Sequence, residues 1–212
     1  AAAPAPAPSA VLSTTDKPLL AADPGNVAGL VDRLLKVDDG LPRDAATRLS
    51  ASERAAMAAL PTALAAPATS ADASASATLT TCAALVGQLM RSWPRSSSTS
   101  FALLGLLRVL VLHATAVPAL IADALPDTIH ACSGVDGAAS AGSAVSAESS
   151  WFGSFAADIM AISALANVFA TEPGSTWATT EPTLDKLTGV AVRGLQPASR
   201  VEMKRMAAAL LY

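Results

Sequence analysis

The chain has 212 residues and a net charge of −3, and 52% of it is hydrophobic while only 4% is aromatic. That length suits one large domain or two small ones, and the mildly acidic balance gives no electrostatic footing on nucleic acid. The apolar excess is alanine, the best helix former and a poor source of buried area, so the composition favours many close-packed helices over a β-sandwich.

No run of alternating β-branched residues marks a strand. The longest uncharged stretches, Ala55 to Ala71 and Ala73 to Met90, are broken by Pro61 and Pro67 or diluted by Ser and Thr, so no membrane span is expected. The first residues lack a basic start before an apolar core, and no secretory leader is expected. Cys82 and Cys132 lie far apart and build no disulfide framework, which fits a reducing compartment.

In chain order, residues 1–24 are Ala-Pro repeats and a mixed polar segment, the composition of an interdomain linker. Val27, Leu30, Leu34 and Val37 then fall at helical spacing, with Asp32 and Lys36 as an i,i+4 pair on the outer side. Ser50 and Glu53 form a capping box that opens a short helix through Met57 and Leu60. Thr62 to Ala77 is low in complexity and reads as a loop. Leu79, Cys82, Val86 and Leu89 make the next stripe, which Trp93-Pro94 stops.

After a Ser/Thr loop, Phe101 to His113 reads as a helix apolar on nearly every side, the pattern of a central helix. It carries one cation, Arg108, which cannot lose its proton and must find a partner or a wet surface. Short helices follow at Pro118 to Ala124 and Pro126 to Cys132. Ser133 to Ser150 is a Gly-Ala-Ser run, read as a mobile insertion near 133–155. Helices are expected again at Ala156 to Phe169, Pro182 to Arg193 and Ser199 to Leu211, the last opened by Ser199 and Glu202 as a second capping box.

Eight or nine helices with short connections make an all-α protein, either a stacked α-solenoid or an irregular bundle. Their spacing is too uneven to assign a strict repeat. Charge is segregated: residues 123–185 hold eight acids and no Lys or Arg, whereas residues 186–212 hold five basic residues against one acid. A basic end of this kind suits either solubility or an acidic peptide.

Enzyme chemistry finds little to use. His113 and His130 are the only histidines, and there is no Gly-x-Ser-x-Gly elbow, no phosphate-binding Gly-rich loop and no dinucleotide fingerprint. No cofactor is expected. His130 and Cys132 supply two metal ligands without a second pair to complete a site. Cys82 with His113 is formally a nucleophile and base, but a small apolar residue within a helix stripe is the simpler account.

Ser92-Trp93-Pro94, the helix ending Leu-Leu-Arg108-Val-Leu-Val-Leu-His113, and Ala164-Leu-Ala-Asn167-Val-Phe169 together resemble the PUL domain, which closes the phospholipase A-activating protein family of ubiquitin adaptors. Asn26 to Leu34, Gly40-Leu-Pro42, the helix from Leu49 to Leu60 and the closing Glu202 to Tyr212 are similar too. The resemblance therefore runs over roughly residues 26–212, within a domain bounded at 25–212. Ser163 departs from the family, standing where an arginine is frequent. The insertion is long, and the chain reaches Tyr212 about where a family asparagine would come.

The resemblance implies an armadillo-like helical stack, a monomeric domain of a larger protein, with no catalysis, no cofactor, no nucleic acid and no membrane. The implied partner is the acidic C-terminal tail of the AAA+ unfoldase valosin-containing protein, in ubiquitin-dependent turnover. The implied setting is the cytoplasm, with the nucleus as a second place. A peptide-binding groove would then draw on Arg108, His113, Asn167, Lys204 and Arg205. Each has another account: Arg108 paired to a loop carboxylate such as Asp123 or Asp158, His113 on helix-end carbonyls, Asn167 as a buried amide bonding a neighbouring loop, and Lys204 and Arg205 as a solvated face. Trp93 reads as a core anchor, and Trp151 with Phe152 as aromatics that tuck onto the body or mark a partner site.

Overall fold

The computed structural model describes residues 24–42, 45–66, 72–93, 96–133, 152, 154–196, 199 and 201–211. The linker through Asp23, most of the insertion, Pro94, Trp151, Arg200 and Tyr212 lie outside the described residues. Within them there are ten α-helices and no strand: α1 (Pro24–Gly40), α2 (Ala51–Ala65), α3 (Ala73–Ser92), α4 (Ser97–Leu110), α5 (Val117–Ala122), α6 (Ala124–Ser133), α7 (Phe155–Asn167), α8 (Glu172–Ala178), α9 (Glu181–Gly194) and α10 (Val201–Leu211). This is the all-α stack expected from composition.

Local chemistry sets most starts. Ser50 and Glu53 form the reciprocal capping box at α2. Asp72, Ser96, Ser154 and Thr171 each accept a first-turn backbone N–H at α3, α4, α7 and α8. Proline occupies the first turn of α5, α8 and α9, where its missing N–H costs nothing.

Several boundaries differ from the sequence reading. The polar segment before Leu79 is largely helix, because Asp72 caps α3 seven residues before the apolar stripe begins. The Ser/Thr segment after Trp93 is likewise the first turn of α4. α2 continues past Pro61 to Ala65, since the one hydrogen bond lost there is outweighed by keeping Leu60 and Ala63 in the core. α4 stops at Leu110, and His113 lies in the turn beyond it, its N–H donating to the Leu110 carbonyl at 3.0 Å. Ser199 is no cap: its hydroxyl turns back to the Arg193 carbonyl at 3.5 Å, and α10 begins two residues later. α8 is a helix the apolar pattern did not reveal.

The stack has a repeat that spacing alone hides. α1, α4, α7 and α10 pack side by side in one row, and α3, α6 and α9 pack in a second. The short α5 packs against α3, α6 and α8, α8 packs against α5 and α9, and α2 packs against α1 and α3. Every third helix thus returns to the same row, giving three-helix units whose short members vary too much in length to leave a sequence period.

α4 lies at the centre. Leu104, Leu106, Leu107 and Leu110 are fully buried between α1, α3 and α7. Alanine and glycine let the rows close up: a Cβ on Gly194 would stand 2.7 Å from the Ala207 Cβ where α9 meets α10. Trp93 is the anchor expected of it, 4% exposed, with its indole N–H donating to the Thr47 carbonyl at 2.7 Å. That bond ties the α1–α2 connection to the end of α3. Asp38, wholly buried at the end of α1, accepts the Leu49 N–H at 2.8 Å and pairs with Arg54 on α2.

Candidate functional site: the outer stripe of α4 and its neighbours

α4 buries three sides and keeps one stripe toward the outside. Phe101 and Arg108 are half-buried there, seven residues or about two helical turns apart, which sets them on one face and about 10 Å apart along the axis. Between them Gly105 admits Leu30 of α1: a Cβ at that position would meet the leucine methyls at 2.8 and 3.0 Å. Arg33, one turn further along α1, lies with its guanidinium 5.2 Å from the Phe101 ring centroid. The stripe therefore carries two guanidinium groups, Arg33 at one end and Arg108 at the other.

The two arginines differ in environment. Arg33 is exposed, but the Arg108 Nε is buried and has no hydrogen-bond partner among the described residues. Neither expected carboxylate reaches it. Asp123 pairs with Arg91 at 2.6 Å, and Asp158 accepts the Phe152 N–H at 2.9 Å. The two named carboxylates are therefore not its partners: α3 pairs Asp123 with Arg91, and Asp158 fixes the entry to α7. Burial pushes the Arg108 pKa down, the sign of a cation short of stabilising neighbours.

Asn167 ends α7 and is brought directly to Arg108, through the backbone. Its side-chain amide donates to the Arg108 carbonyl at 3.0 Å and is 5% exposed. That carbonyl needs the bond, because the N–H four residues on, from Leu112, turns to Val109 instead. The amide thus has a structural task at the α4–α7 junction; it is buried as read, but its acceptor is the backbone of α4 and not a loop. His113 lies three residues beyond the end of α4, half-buried, and burial lowers its pKa below the ordinary 6.5. With its pKa lowered, His113 is an uncharged imidazole at neutral pH.

Lys204 and Arg205 sit on α10, the next helix in the row, half-buried and exposed respectively. No described contact joins either to Arg108 across α7. Ser163, where a family arginine was expected, is fully buried and its hydroxyl faces the Met206 sulfur at 3.5 Å, so this position belongs to the α7–α10 seam and not to the outer surface. α4 and α7 together offer Arg108 as their one cation, and their one acid, Asp158, is buried and already bonded. Sequence reasoning missed Arg33 and Phe101, which are 68 residues apart and meet only because α1 packs on α4.

The alternatives lose their footing. Cys82 is wholly buried, its thiol donates to the Ala56 carbonyl at 3.4 Å, and its pKa is pushed up to about 11. Cys132 is wholly buried as well, and burial pushes its thiol up further. A cysteine nucleophile needs the opposite shift. Cys132 is internal while His130 on the same helix is exposed, so the two cannot converge on one metal, and no metal-ligating cluster occurs among the described residues. No single helix among the described residues is long and apolar enough to cross a membrane.

A two-row helical stack with an arginine-bearing outer stripe defines a helical-repeat module built for binding. The sequence model of the PUL domain matches residues 14–212, and the chain belongs to the PUL-domain family, a family of protein-interaction modules. Comparison with curated proteins and with solved structures gave no significant match.

Proposed function

We propose that this PUL domain is a non-catalytic adaptor that docks the acidic C-terminal tail of valosin-containing protein in ubiquitin-dependent protein turnover. The tail lies along the outer side of the α1–α4–α7–α10 row. Arg108 receives a carboxylate, Lys204 and Arg205 draw further acidic residues toward α10, and His113 and Asn167 shape the floor. One observation carries the reading: Arg108 holds a buried Nε with no hydrogen-bond partner among the described residues, and the two helices beside it, α4 and α7, present no exposed acid. A guanidinium in that state gains more from an arriving carboxylate than one already paired, because the cost of its desolvation is met in the free protein.

The test is a calorimetric titration with a peptide of that tail at two salt concentrations, repeated with Arg108→Ala after a check of its folding. Saturable binding that weakens with salt and with the substitution supports the reading. A folded domain that takes up no peptide at either salt concentration overturns it.

A further inference from the structure

A second recess lies on the other row, away from the α4 stripe. α6, α8 and α9 enclose a cleft of about 390 Å3 lined by Pro126, Ile129, His130, Trp177, Pro182 and Lys186. That volume falls in the range of about 300–1,000 Å3 that small-molecule and short-peptide pockets occupy. Its walls are an indole and two pyrrolidine rings, and its rim carries a lysine and a histidine without any acid in the lining.

The cleft is held open by the fold itself. The Thr180 hydroxyl bonds the Trp177 carbonyl at 2.7 Å and the Thr183 hydroxyl at 2.9 Å, which fixes the corner between α8 and α9. At the far side Arg193 donates to the Cys132 carbonyl at 3.0 Å and pins α9 to the end of α6. Asp127, next to Pro126, leans away toward Arg91 at 3.6 Å, so the lining itself holds no carboxylate, while Glu181 and Asp185 stand exposed on α9 outside it.

From this geometry we infer that the α6–α8–α9 cleft is a second peptide-binding site, which takes an extended proline-containing segment bearing an acidic residue. An indole flanked by proline rings suits a polyproline-type segment, whose backbone is already extended and loses little freedom on docking. Lys186 at the rim, with no lining acid against it, selects a negative neighbour.

The test uses the 212-residue chain and the blocked peptide acetyl-Glu-Pro-Leu-Pro-Glu-amide, with its Lys-for-Glu counterpart as control. The readout is the Trp177 indole N–H signal in a nitrogen-correlated NMR spectrum, assigned with Trp177→Phe. The acidic peptide shifts this signal saturably, the basic peptide binds several-fold more weakly, and Lys186→Glu reduces acidic-peptide binding by about fivefold, the ceiling for one exposed ion pair. Lys186 is exposed, so its variant stays folded and keeps the experiment decisive even if changes at Trp177 disturb packing. Arg108→Met leaves the response intact. An unmoved Trp177 signal, equal binding of both peptides, or a signal that moves with protein concentration alone, the mark of a second copy filling the cleft, overturns the inference.

Discussion

Replacing Arg108 with methionine separates stability from binding in a way a paired arginine would not. Methionine keeps the apolar stem that packs on α4 and removes the guanidinium together with its unpartnered Nε. A buried donor without a partner costs about 1–3 kcal/mol, and the half-exposed position of the side chain places Arg108 at the low end, about 1 kcal/mol. The variant should therefore match the parent in stability or exceed it by about that amount, a rise of about 2–4 °C in Tm for a domain of this size. Tail binding should fall together with the charge-assisted contact, by about 1.5–3 kcal/mol or about 10- to 150-fold. Arg108→Lys should fall between, since an ammonium keeps the charge but not the bidentate fork. Thermal melts followed by circular dichroism and calorimetric titration read the two quantities on one sample. A loss of stability above about 1 kcal/mol would show that the guanidinium has a structural partner in the free domain, and the argument for an open cation would fail.

Four further outcomes follow from the same geometry. Asn167→Ala leaves the Arg108 carbonyl without its donor and should lower unfolding free energy in urea by about 1–3 kcal/mol; an unchanged midpoint would show that the α4–α7 bond contributes nothing. His113 is held below 6.5 in the folded state, so as pH falls the unfolded chain takes up the proton first, and stability is lost from about pH 6.5 downward until the folded imidazole titrates too. His113→Gln should make the decline below about pH 6.5 shallower, and an identical slope would contradict the burial argument. Gly194→Ala drives a methyl into Ala207 and should cost about 1–3 kcal/mol in thermal unfolding, while a neutral result would mean that α9 and α10 are less tightly joined than described. Cys82 and Cys132 should stay unreactive toward a disulfide thiol probe near neutral pH until denaturant is added, and rapid native labelling of either would reopen the nucleophile reading.

Much of the fold is written locally, and what escaped reading is mostly tertiary. The Phe101 to Leu110 run announced a central helix because it has no polar face, and Trp93 announced an anchor because so few large aromatics share the core. The capping box at Ser50 and Glu53 fixed a helix start to the residue. α8 was legible too, in the Thr171-Glu172-Pro173 cap and first-turn proline, but its seven residues are too few to display an apolar period. Pro61 misled because a helix breaker was weighed without the core that holds Leu60 and Ala63 in place.

The site was half visible. Arg108 stood out as the only cation on its helix, and its environment could not be read, because the competition of Arg91 for Asp123 exists only once α3 packs against the α5–α6 corner. Asn167 signalled a buried polar task without saying that its acceptor would be the backbone of Arg108. The stacking of Arg33 on Phe101 left no sequence trace, since neither residue is unusual where it stands.

The most direct measurement is a map of where the tail lies. A tail peptide carrying a photo-crosslinker near its C-terminus, irradiated on the domain and read by mass spectrometry, should label residues on α4, α7 and α10, with labelling suppressed by Arg108→Met. Labels confined to the α3–α6–α9 row, or labels on the first row that persist unchanged in Arg108→Met, would contradict the account.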